Sequence, residues 1–339
     1  MSEARVRAAI EEIKNGKMVV IVDDEDRENE GDLVYAAHFS TVEKVNFMIT
    51  HAKGLVCMSI TEDTAKRLEL TPMVANNNSA HETAFTISVD ARTAKTGISA
   101  RERDMTIKVI SDQQSAPEDL VRPGHIFPLI AKKGGVLVRT GHTEGSIDLC
   151  RLAGVSESAI ICEIVKEDGE MARRDDIDIF CKKHNIKVVS ITDIIGYRLK
   201  YESLVRESSS ADAKFLGADV KKIEFTDHLD NIHTAFIFGQ ITDKAAVKFH
   251  HILKDIDLLS LDRTYDSLTK SIEYLKKAGG ALIFLNTSKE GDNAKERGIG
   301  AQILNALGIR KITLLSKQGG NEFAAMGGFN LDILEEIIL

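Results

Sequence analysis

Short apolar runs alternate with amphipathic segments along the first 204 residues, and this pattern predicts a mixed α/β domain. Strands are expected where apolar residues run together, at 18–22, 33–37, 55–60, 84–90, 134–139 and 159–165. Helices are expected where apolar residues recur at helical spacing, at 3–15, 41–53, 102–112, 144–153, 174–184 and 192–204. A capping box of Ser40 and Glu43 would begin the second of these helices.

A second block of alternating elements follows a polar segment, RESSSADAKF, that has small side chains and no periodicity. That segment is typical of a linker. The sequence therefore predicts a domain at 1–205, a linker at 206–215 and a second α/β domain at 216–339. Strands in the second block are expected near 221–227, 233–239, 245–250, 281–285 and 311–315, and helices near 266–278, 296–307 and 331–338.

Composition narrows the function classes. The 339 residues carry a net charge of −8, which disfavours a protein that grips nucleic-acid phosphates along a basic stripe. No apolar run approaches the roughly 20 residues of a spanning helix, and the first residues do not form a secretion signal. Four widely spaced cysteines, with no CxxC pair, indicate reduced thiols. We expect a cytoplasmic protein without a membrane or nucleic-acid partner.

The stretch DDEDRENEGDL at 23–33 places seven carboxylates between Asp23 and Asp32, directly after an apolar strand. Crowded carboxylates raise one another's pKa, and a divalent cation with oxygen ligands offsets that cost. An EF-hand is excluded because its bidentate glutamate would fall on Ala37 and strands flank the loop. A metal site and a solvated charged loop both remain open. Arg27, inside the run, favours a site where a metal and an anion meet.

The stretch RTGHTEGSIDL at 139–149 joins an apolar run to a predicted helix. Thr143 is a suitable N-cap, Gly141 permits close backbone approach, and the free amides of the first turn together with Arg139 could bind a phosphate. His142 is a candidate metal ligand or acid–base group. The alternative is a neutral histidine hydrogen-bonded at the start of a helix.

Two further residues suit acid–base chemistry. His125 lies on a Pro-Gly turn in RPGHIFPL at 122–129, and Glu163 lies in an apolar strand. A buried carboxylate there is either paired or has a raised pKa, as a general base near neutrality requires. These features together suit a phosphorylated sugar whose carbonyl and hydroxyl oxygens chelate a metal that stabilises an enediolate.

In this order and spacing, DDEDRENEGDL, KTGISARERD at 95–104, RPGHIFPL, GGVLVRTGHTEGSIDL and CEIV closely resemble 3,4-dihydroxy-2-butanone 4-phosphate synthase, a lyase of riboflavin biosynthesis. The resemblance covers residues 3–204. It implies conversion of D-ribulose 5-phosphate to L-3,4-dihydroxybutan-2-one 4-phosphate and formate. It also implies two magnesium ions, with manganese as an alternative, and a homodimer with sites near the subunit interface.

The resemblance also implies roles for single residues. Glu28 would bind both metals and His142 the second. His125, Glu163 and Asp32 would be catalytic, with the assignment of each proton transfer open. A mobile loop at 95–101 would close on the substrate. Substrate contacts are implied for Arg27, Glu28, Asp32, Thr96, Arg139, Thr140, Gly141, His142, Thr143 and Glu163.

ERGIGAQILNALGIRKITLLS at 296–316 resembles the end of GTP cyclohydrolase II, a family that holds zinc on three cysteines. This chain has no cysteine after Cys181, and the family's Asp and Arg pair falls on Asn293 and Lys295. We therefore expect a degenerate GTP cyclohydrolase II-like domain without zinc or the GTP reaction. A bifunctional enzyme and a binding or assembly module remain the alternatives. Four histidines of this half are expected to be structural rather than metal ligands: His228, His233, His250 and His251.

Overall fold

The computed structural model describes residues 2–24, 27–81, 83–286, 293–317 and 331–339, with only the backbone at 293–297. The chain divides into two compact units, Met1–Tyr197 and Arg198–Leu339, and each contains a seven-stranded mixed sheet. The predicted α/β class, in its α+β form, is confirmed. Among the described residues, no helix has the length and apolar character needed to cross a bilayer.

The first unit orders its strands β4-β5-β3-β6-β2-β1-β7. The strands are β1 Val19–Val22, β2 Gly31–Ala36, β3 Cys57–Ile60, β4 Val89–Ala91, β5 Leu120–Ile130, β6 Ala159–Glu163 and β7 Lys187–Ser190. The helices are α1 Ser2–Lys14, α2 Val42–Phe47, α3 Glu62–Arg67, α4 Ala100–Ser111, α5 His142–Leu152 and α6 Arg174–His184. Helix α7, Ile191–Tyr201, begins in this unit and runs past its last residue, Tyr197.

Strand pairing positions the functional segments of this unit. The acidic loop connects the antiparallel strands β1 and β2, whose last pair is Val22 and Gly31. Asp32 on β2 lies directly opposite Glu163 on β6, and directly opposed residues project from the same face of a sheet. The sheet rests on a core in which Tyr35, Met58 and Ile107 are fully buried.

Two predicted elements of the first unit are wrong. Residues 134–139 form no strand but a 3-10 turn, Gly135–Leu137, because Gly134 and Gly135 adopt positive φ angles of 97° and 64°. Of the predicted strand 84–90, only its end forms β4, Val89–Ala91.

Three predicted local roles also change. Thr41, rather than Ser40, caps α2, because its side chain accepts from the Lys44 amide. The Ser40 hydroxyl instead donates to Asp104. A π-helical turn, Met48–Ala52, follows α2 and completes that segment. Gly141, rather than Thr143, is the N-cap of α5. His125 lies within strand β5 rather than on a turn.

The second unit orders its strands β14-β13-β11-β12-β10-β9-β8. The strands are β8 Val205–Phe215, β9 Ala218–Asp227, β10 Ile232–Phe238, β11 Lys244–His251, β12 Gly280–Leu285, β13 Lys311–Ser316 and β14 Asp332–Ile338. The helices are α8 Asp255–Leu259, α9 Asp262–Ala278 and α10 Asn293–Ala306. Helix α9 buries Leu268, Ile272 and Leu275 in the hydrophobic core of this unit.

Two predictions for this unit are wrong for the same physical reason. The expected linker at 206–215 is strand β8, paired with β9 along its whole length, and the expected helix at 331–338 is strand β14, parallel to β13. Both strands lie at sheet edges and expose most of their side chains. A strand without a buried face lacks the hydrophobic alternation by which strands are recognised in sequence.

Candidate active site

Asp23 organises the acidic loop. Its buried carboxylate accepts from Arg27 Nη1 at 2.7 Å and from the backbone amides of Glu28 and Glu30 at 3.2 and 2.9 Å. Asn29 supplies the turn with a positive φ of 54°. The same Arg27 Nη1 lies 2.8 Å from Glu28 Oε2. The loop is thus folded around one carboxylate, which fixes where the next one points.

Three side chains of this region could hold a cation together. One ligand atom each from Asp23, Glu28 and His142 lies within 4.8 Å of the others. His142 Nδ1 is 3.6 Å from Glu28 Oε2 and 3.8 Å from Asp32 Oδ1. Among the described residues, neither His142 Nε2 nor Asp32 Oδ1 has a hydrogen-bond partner, although both atoms are buried, and a buried polar atom left unpaired costs free energy. This mostly oxygen donor set suits a hard divalent cation such as Mg²⁺.

The electrostatics of the cluster reflect its crowding. The nearby His142 imidazole, opposed by burial and helped by the Arg27 charge, lowers the pKa of Glu28 to about 2. Burial raises the pKa of Asp32 to about 7; His142 opposes this and Glu163 adds to it. Burial alone would lower the pKa of His142, but the carboxylates of Asp32 and Glu28 raise it to about 9. Asp32 therefore has the pKa that acid–base chemistry near neutrality needs.

Glu163 is held by the backbone that follows the π-helical turn. Its Oε2 accepts from the Leu55 amide at 2.8 Å. A β-carbon on Gly54 would overlap the Glu163 carbonyl and lie 2.6 Å from Oε2, so only glycine fits there. Of the two states expected from the sequence for this carboxylate, the structure shows the paired one.

Arg139 is enclosed by acceptors. Its Nη1 contacts the buried Glu144 Oε2 at 2.6 Å, its Nε and Nη2 donate to the His81 carbonyl at 3.1 and 3.0 Å, and Nη2 reaches Thr83 Oγ1 at 3.2 Å. A β-carbon on Gly141 would overlap Arg139 Nη1, so this glycine makes room for the guanidinium. Arg139 thus lies beside the N-terminus of α5, with its charge balanced by Glu144.

The start of α5 carries the remaining residues predicted in this stretch. Thr140, partly exposed, and Gly141 precede the helix, while His142 and the buried Thr143 form its first turn. The free amides at such an N-terminus attract anions.

His125 and Thr96 belong to a second cluster, around β4, β5 and the start of α4. His125 Nδ1 is 2.8 Å from Asp90 Oδ2. Thr96 Oγ1 donates to Glu102 Oε2 at 2.9 Å, and Glu102 also accepts from the Lys95 amide at 2.7 Å.

The structure therefore gathers most predicted site residues around the acidic loop and the start of α5, and it places His125 and Thr96 apart from them. Among the described residues, several that hold predicted ones in place were not singled out from the sequence, including Asp23, His81, Asp90, Glu102 and Glu144. Glu102 and Glu144 lie within the recognised stretches. Asp90 and His81 gave no local signal.

A carboxylate-rich loop at the end of a strand, a buried imidazole and a helix N-terminus occur together in this α/β unit, an arrangement typical of enzymes that bind anionic substrates with the help of a divalent cation. Comparison with known proteins gives the family. The model of 3,4-dihydroxy-2-butanone 4-phosphate synthase matches residues 7–197, and the model of GTP cyclohydrolase II matches residues 287–338. The chain belongs to the 3,4-dihydroxy-2-butanone 4-phosphate synthase family and is an enzyme of riboflavin biosynthesis.

Individual relatives agree in length and fold. The 3,4-dihydroxy-2-butanone 4-phosphate synthase of Sulfurospirillum multivorans is 58% identical over 98% of this chain and 93% of its own. A two-domain synthase of A. baumannii, RibBX, is 38% identical, covers 98% of both chains and superposes with a TM-score of 0.80. A synthase solved with two magnesium ions is 40% identical, covers 58% of this chain and 97% of its own, and has a TM-score of 0.56.

Proposed function

We propose that this chain converts D-ribulose 5-phosphate to L-3,4-dihydroxybutan-2-one 4-phosphate and formate. The observation that carries the proposal is the cluster of Asp23, Glu28 and His142, whose ligand atoms lie within 4.8 Å of one another. Beside it lies the buried Asp32 Oδ1, which has no hydrogen-bond partner among the described residues. Such a site needs a cation and a polar ligand to satisfy it, and a solved relative holds two magnesium ions.

Glu28 and His142 are the proposed magnesium ligands, and Asp23 completes the donor set. Manganese has the same preference for oxygen and is the alternative ion. When bound, the ion supplies Lewis-acid stabilisation of negative charge on neighbouring substrate oxygens. Asp23 also keeps the loop folded, since it accepts from Arg27 and from two backbone amides.

Binding of the substrate phosphate is proposed for the start of α5. Thr140, Gly141 and Thr143 offer the helix N-terminus, with Arg139 next to it and Arg27 across the site. Thr96 would contact the substrate when the 95–101 loop closes. Closure of the loop would exclude water from reactive intermediates.

Proton transfer is proposed for Asp32, Glu163 and His125. The reaction begins with removal of the proton on carbon 3, which gives an enediolate; loss of the carbon 1 hydroxyl, a skeletal shift and hydrolytic release of carbon 4 as formate follow. Asp32, with its pKa near 7, can hold or release a proton at working pH. Glu163, fixed by the Leu55 amide, lies directly opposite Asp32 and projects from the same face of the sheet.

A homodimer is proposed from the distribution of these groups. Strand β5, which carries His125, lies two strands from β6 and three from β2. Neighbouring strands are about 4.8 Å apart, so the backbones of His125 and Asp32 are separated by roughly 14 Å across the sheet. A second copy could bring the His125 and Thr96 cluster to the acidic loop. Sedimentation or light scattering of the full chain tests this, and a monomer that retains full activity would contradict it.

The second unit is proposed to lack GTP cyclohydrolase II activity. No cysteine follows Cys181, and residues 257–268, where the zinc motif would fall, lie in helices α8 and α9 and the short turn between them. His233 is bound between Asp227 Oδ2, at 3.2 Å, and the Asn286 amide, at 3.1 Å. The side chains of Asn293 and Lys295 lie outside the described residues. The relative with two domains is itself described as a synthase, which leaves a binding or assembly role for this unit as the alternative.

Because all four cysteines are buried thiols, the proposed compartment is the reducing cytoplasm.

Two incubations of the full chain test the proposal. Ribulose 5-phosphate with Mg²⁺ should give formate and the dihydroxybutanone phosphate in equal amounts, whereas GTP with Zn²⁺ should give no pyrimidine product. Glu28→Ala should abolish the first reaction and leave the protein folded, and Glu62→Ala, on an exposed helix, is the matched control. Absence of turnover by the wild type would overturn the synthase proposal; zinc-dependent opening of GTP would overturn the proposal for the second unit.

A further inference from the structure

Asp90 holds His125 at two points. Its Oδ2 lies 2.8 Å from His125 Nδ1, and its Oδ1 accepts from the backbone amide of the same residue at 2.9 Å. The Asp90 side chain is 9% exposed, whereas that of His125 is 41% exposed. One end of the imidazole is therefore fixed in the protein and the other end is open to a ligand.

The chemistry of this contact fixes the protonation pattern of the ring. An ionised carboxylate only accepts hydrogen bonds, so Nδ1 must carry a proton. In the neutral ring the proton is then on Nδ1, and Nε2 presents a free lone pair. A carboxylate bonded to one nitrogen thus leaves the other as the base, as the carboxylates beside many metal-bound and catalytic histidines do.

Two glycines let the backbone approach this pair closely. Gly97, with a φ of 78°, lies over it: a β-carbon there would overlap Asp90 Oδ2 and lie 2.6 Å from His125 Nδ1. Gly124 lets β5 approach β4, because a β-carbon there would overlap the Val89 carbonyl carbon. The 95–101 loop therefore rests on the Asp90–His125 pair and shields the hydrogen bond from water.

We propose that Asp90 is a positioning residue of the synthase: it sets the Nδ1–H tautomer of His125 and directs Nε2 toward the substrate as the proton acceptor. This inference rests on the proposed function, in which His125 takes part in proton transfer. Asp90 itself does not touch the substrate. Because Gly97 belongs to the loop that closes on the substrate, loop closure and the orientation of His125 are coupled through this pair.

Nitrogen NMR of the full chain labelled with ¹⁵N-histidine reads the tautomer directly, and His125→Gln assigns the signals. Once the ring is neutral, wild-type His125 should show a protonated Nδ1 and an unprotonated Nε2. Asp90→Asn should shift the population toward Nε2–H, because its amide can donate to Nδ1. A wild-type ring protonated on Nε2 overturns the proposal, and this holds even if Asp90→Asn fails to fold.

Kinetics give the second readout. Asp90→Asn should lower kcat by about 100-fold or more, the range of general base catalysis, with KM changed less than about threefold. Exchange of the carbon 3 proton with solvent should slow in parallel. Asp104→Asn, a buried acid bonded to Ser40 and Lys108, is the control and should leave kcat and the His125 tautomer unchanged.

The outcomes separate this inference from the proposed function. A wild type that turns over ribulose 5-phosphate, with Asp90→Asn within threefold of its kcat, overturns the role of Asp90 alone. A wild type without turnover overturns the proposed function, and the inference with it, whatever the NMR shows.

Discussion

Replacement of Glu144 by Gln should strongly destabilise the first unit, although the two side chains are nearly equal in size. Glu144 is 1% exposed, and its carboxylate lies 2.6 Å from the guanidinium of Arg139, which is 15% exposed. Glutamine can still accept from the Lys132 amide, as Glu144 Oε1 does at 3.0 Å. What is lost is the negative charge, so within the described part of the chain no carboxylate partner remains for the largely buried Arg139 charge.

The expected magnitude follows from that burial. Breaking a buried ion pair by removing one partner costs about 3–5 kcal/mol. The lower end applies here, since Arg139 keeps its bonds to the His81 carbonyl and to Thr83 and has some contact with water. For a unit of nearly 200 residues, each kcal/mol shifts Tm by roughly 2–4 °C, which gives a decrease of about 6–12 °C.

A double variant isolates the interaction energy between Arg139 and Glu144 from the effects of their other contacts. Arg139→Met combined with Glu144→Gln removes both charges, and replacement of a whole buried pair by neutral groups is often close to neutral in stability. The loss in free energy of unfolding of the double variant should therefore be smaller than the sum of the losses of Glu144→Gln and Arg139→Met, by at least about 1 kcal/mol.

Thermal unfolding by circular dichroism, with amide hydrogen exchange of peptides from residues 130–152, measures the effect in the first unit alone. A Tm of Glu144→Gln within about 2 °C of the wild type would refute the reasoning. So would strict additivity in the double variant.

Three further predictions concern the metal site, the second unit and the loop over β4 and β5. Mg²⁺ at about 100 times its Kd should stabilise the wild type by roughly 2.7 kcal/mol, and Glu28→Gln should abolish that increase in Tm. Burial, with the Lys248 charge, lowers the pKa of His250 to about 4, below the unfolded value near 6.5. The stability that the neutral imidazole contributes is therefore present above pH 6.5 and is lost as the pH falls toward 4. Urea titrations at pH 7 and pH 5 should show a loss of about 1–2 kcal/mol in the free energy of unfolding, and His250→Leu should remove that loss. Gly97→Ala should lose more stability, and more kcat, than Gly154→Ala, because both have positive φ angles, 78° and 69°, but only the first would overlap neighbouring atoms.

The acidic loop and most of the central strands could be predicted because their signals are local. Seven carboxylates directly after an apolar strand define a loop, and uninterrupted apolar runs define buried strands such as β1. The edge strands β8 and β14 gave no such signal, since most of their side chains face water. The strand expected at 134–139 failed because the backbone conformations of two glycines, not the apolar residues beside them, decide that segment.

Contacts between distant residues account for the rest of the site. Asp90 and His125 are 35 positions apart, and Arg139 reaches a carbonyl 58 positions away, so neither partner can be read from spacing along the chain. The recognised stretches indicated which residues matter. The structure adds what holds them: Asp23 the loop, Leu55 the Glu163 carboxylate, and Glu144 the charge of Arg139.

The fate of carbon 4 tests the central claim most directly. Ribulose 5-phosphate labelled with ¹³C at carbon 4 is incubated with the purified full chain and Mg²⁺, and the products are followed by carbon NMR. We expect the label to leave as formate while the four-carbon phosphate product stays unlabelled. Label retained in the phosphorylated product, or no formate at all, would contradict it.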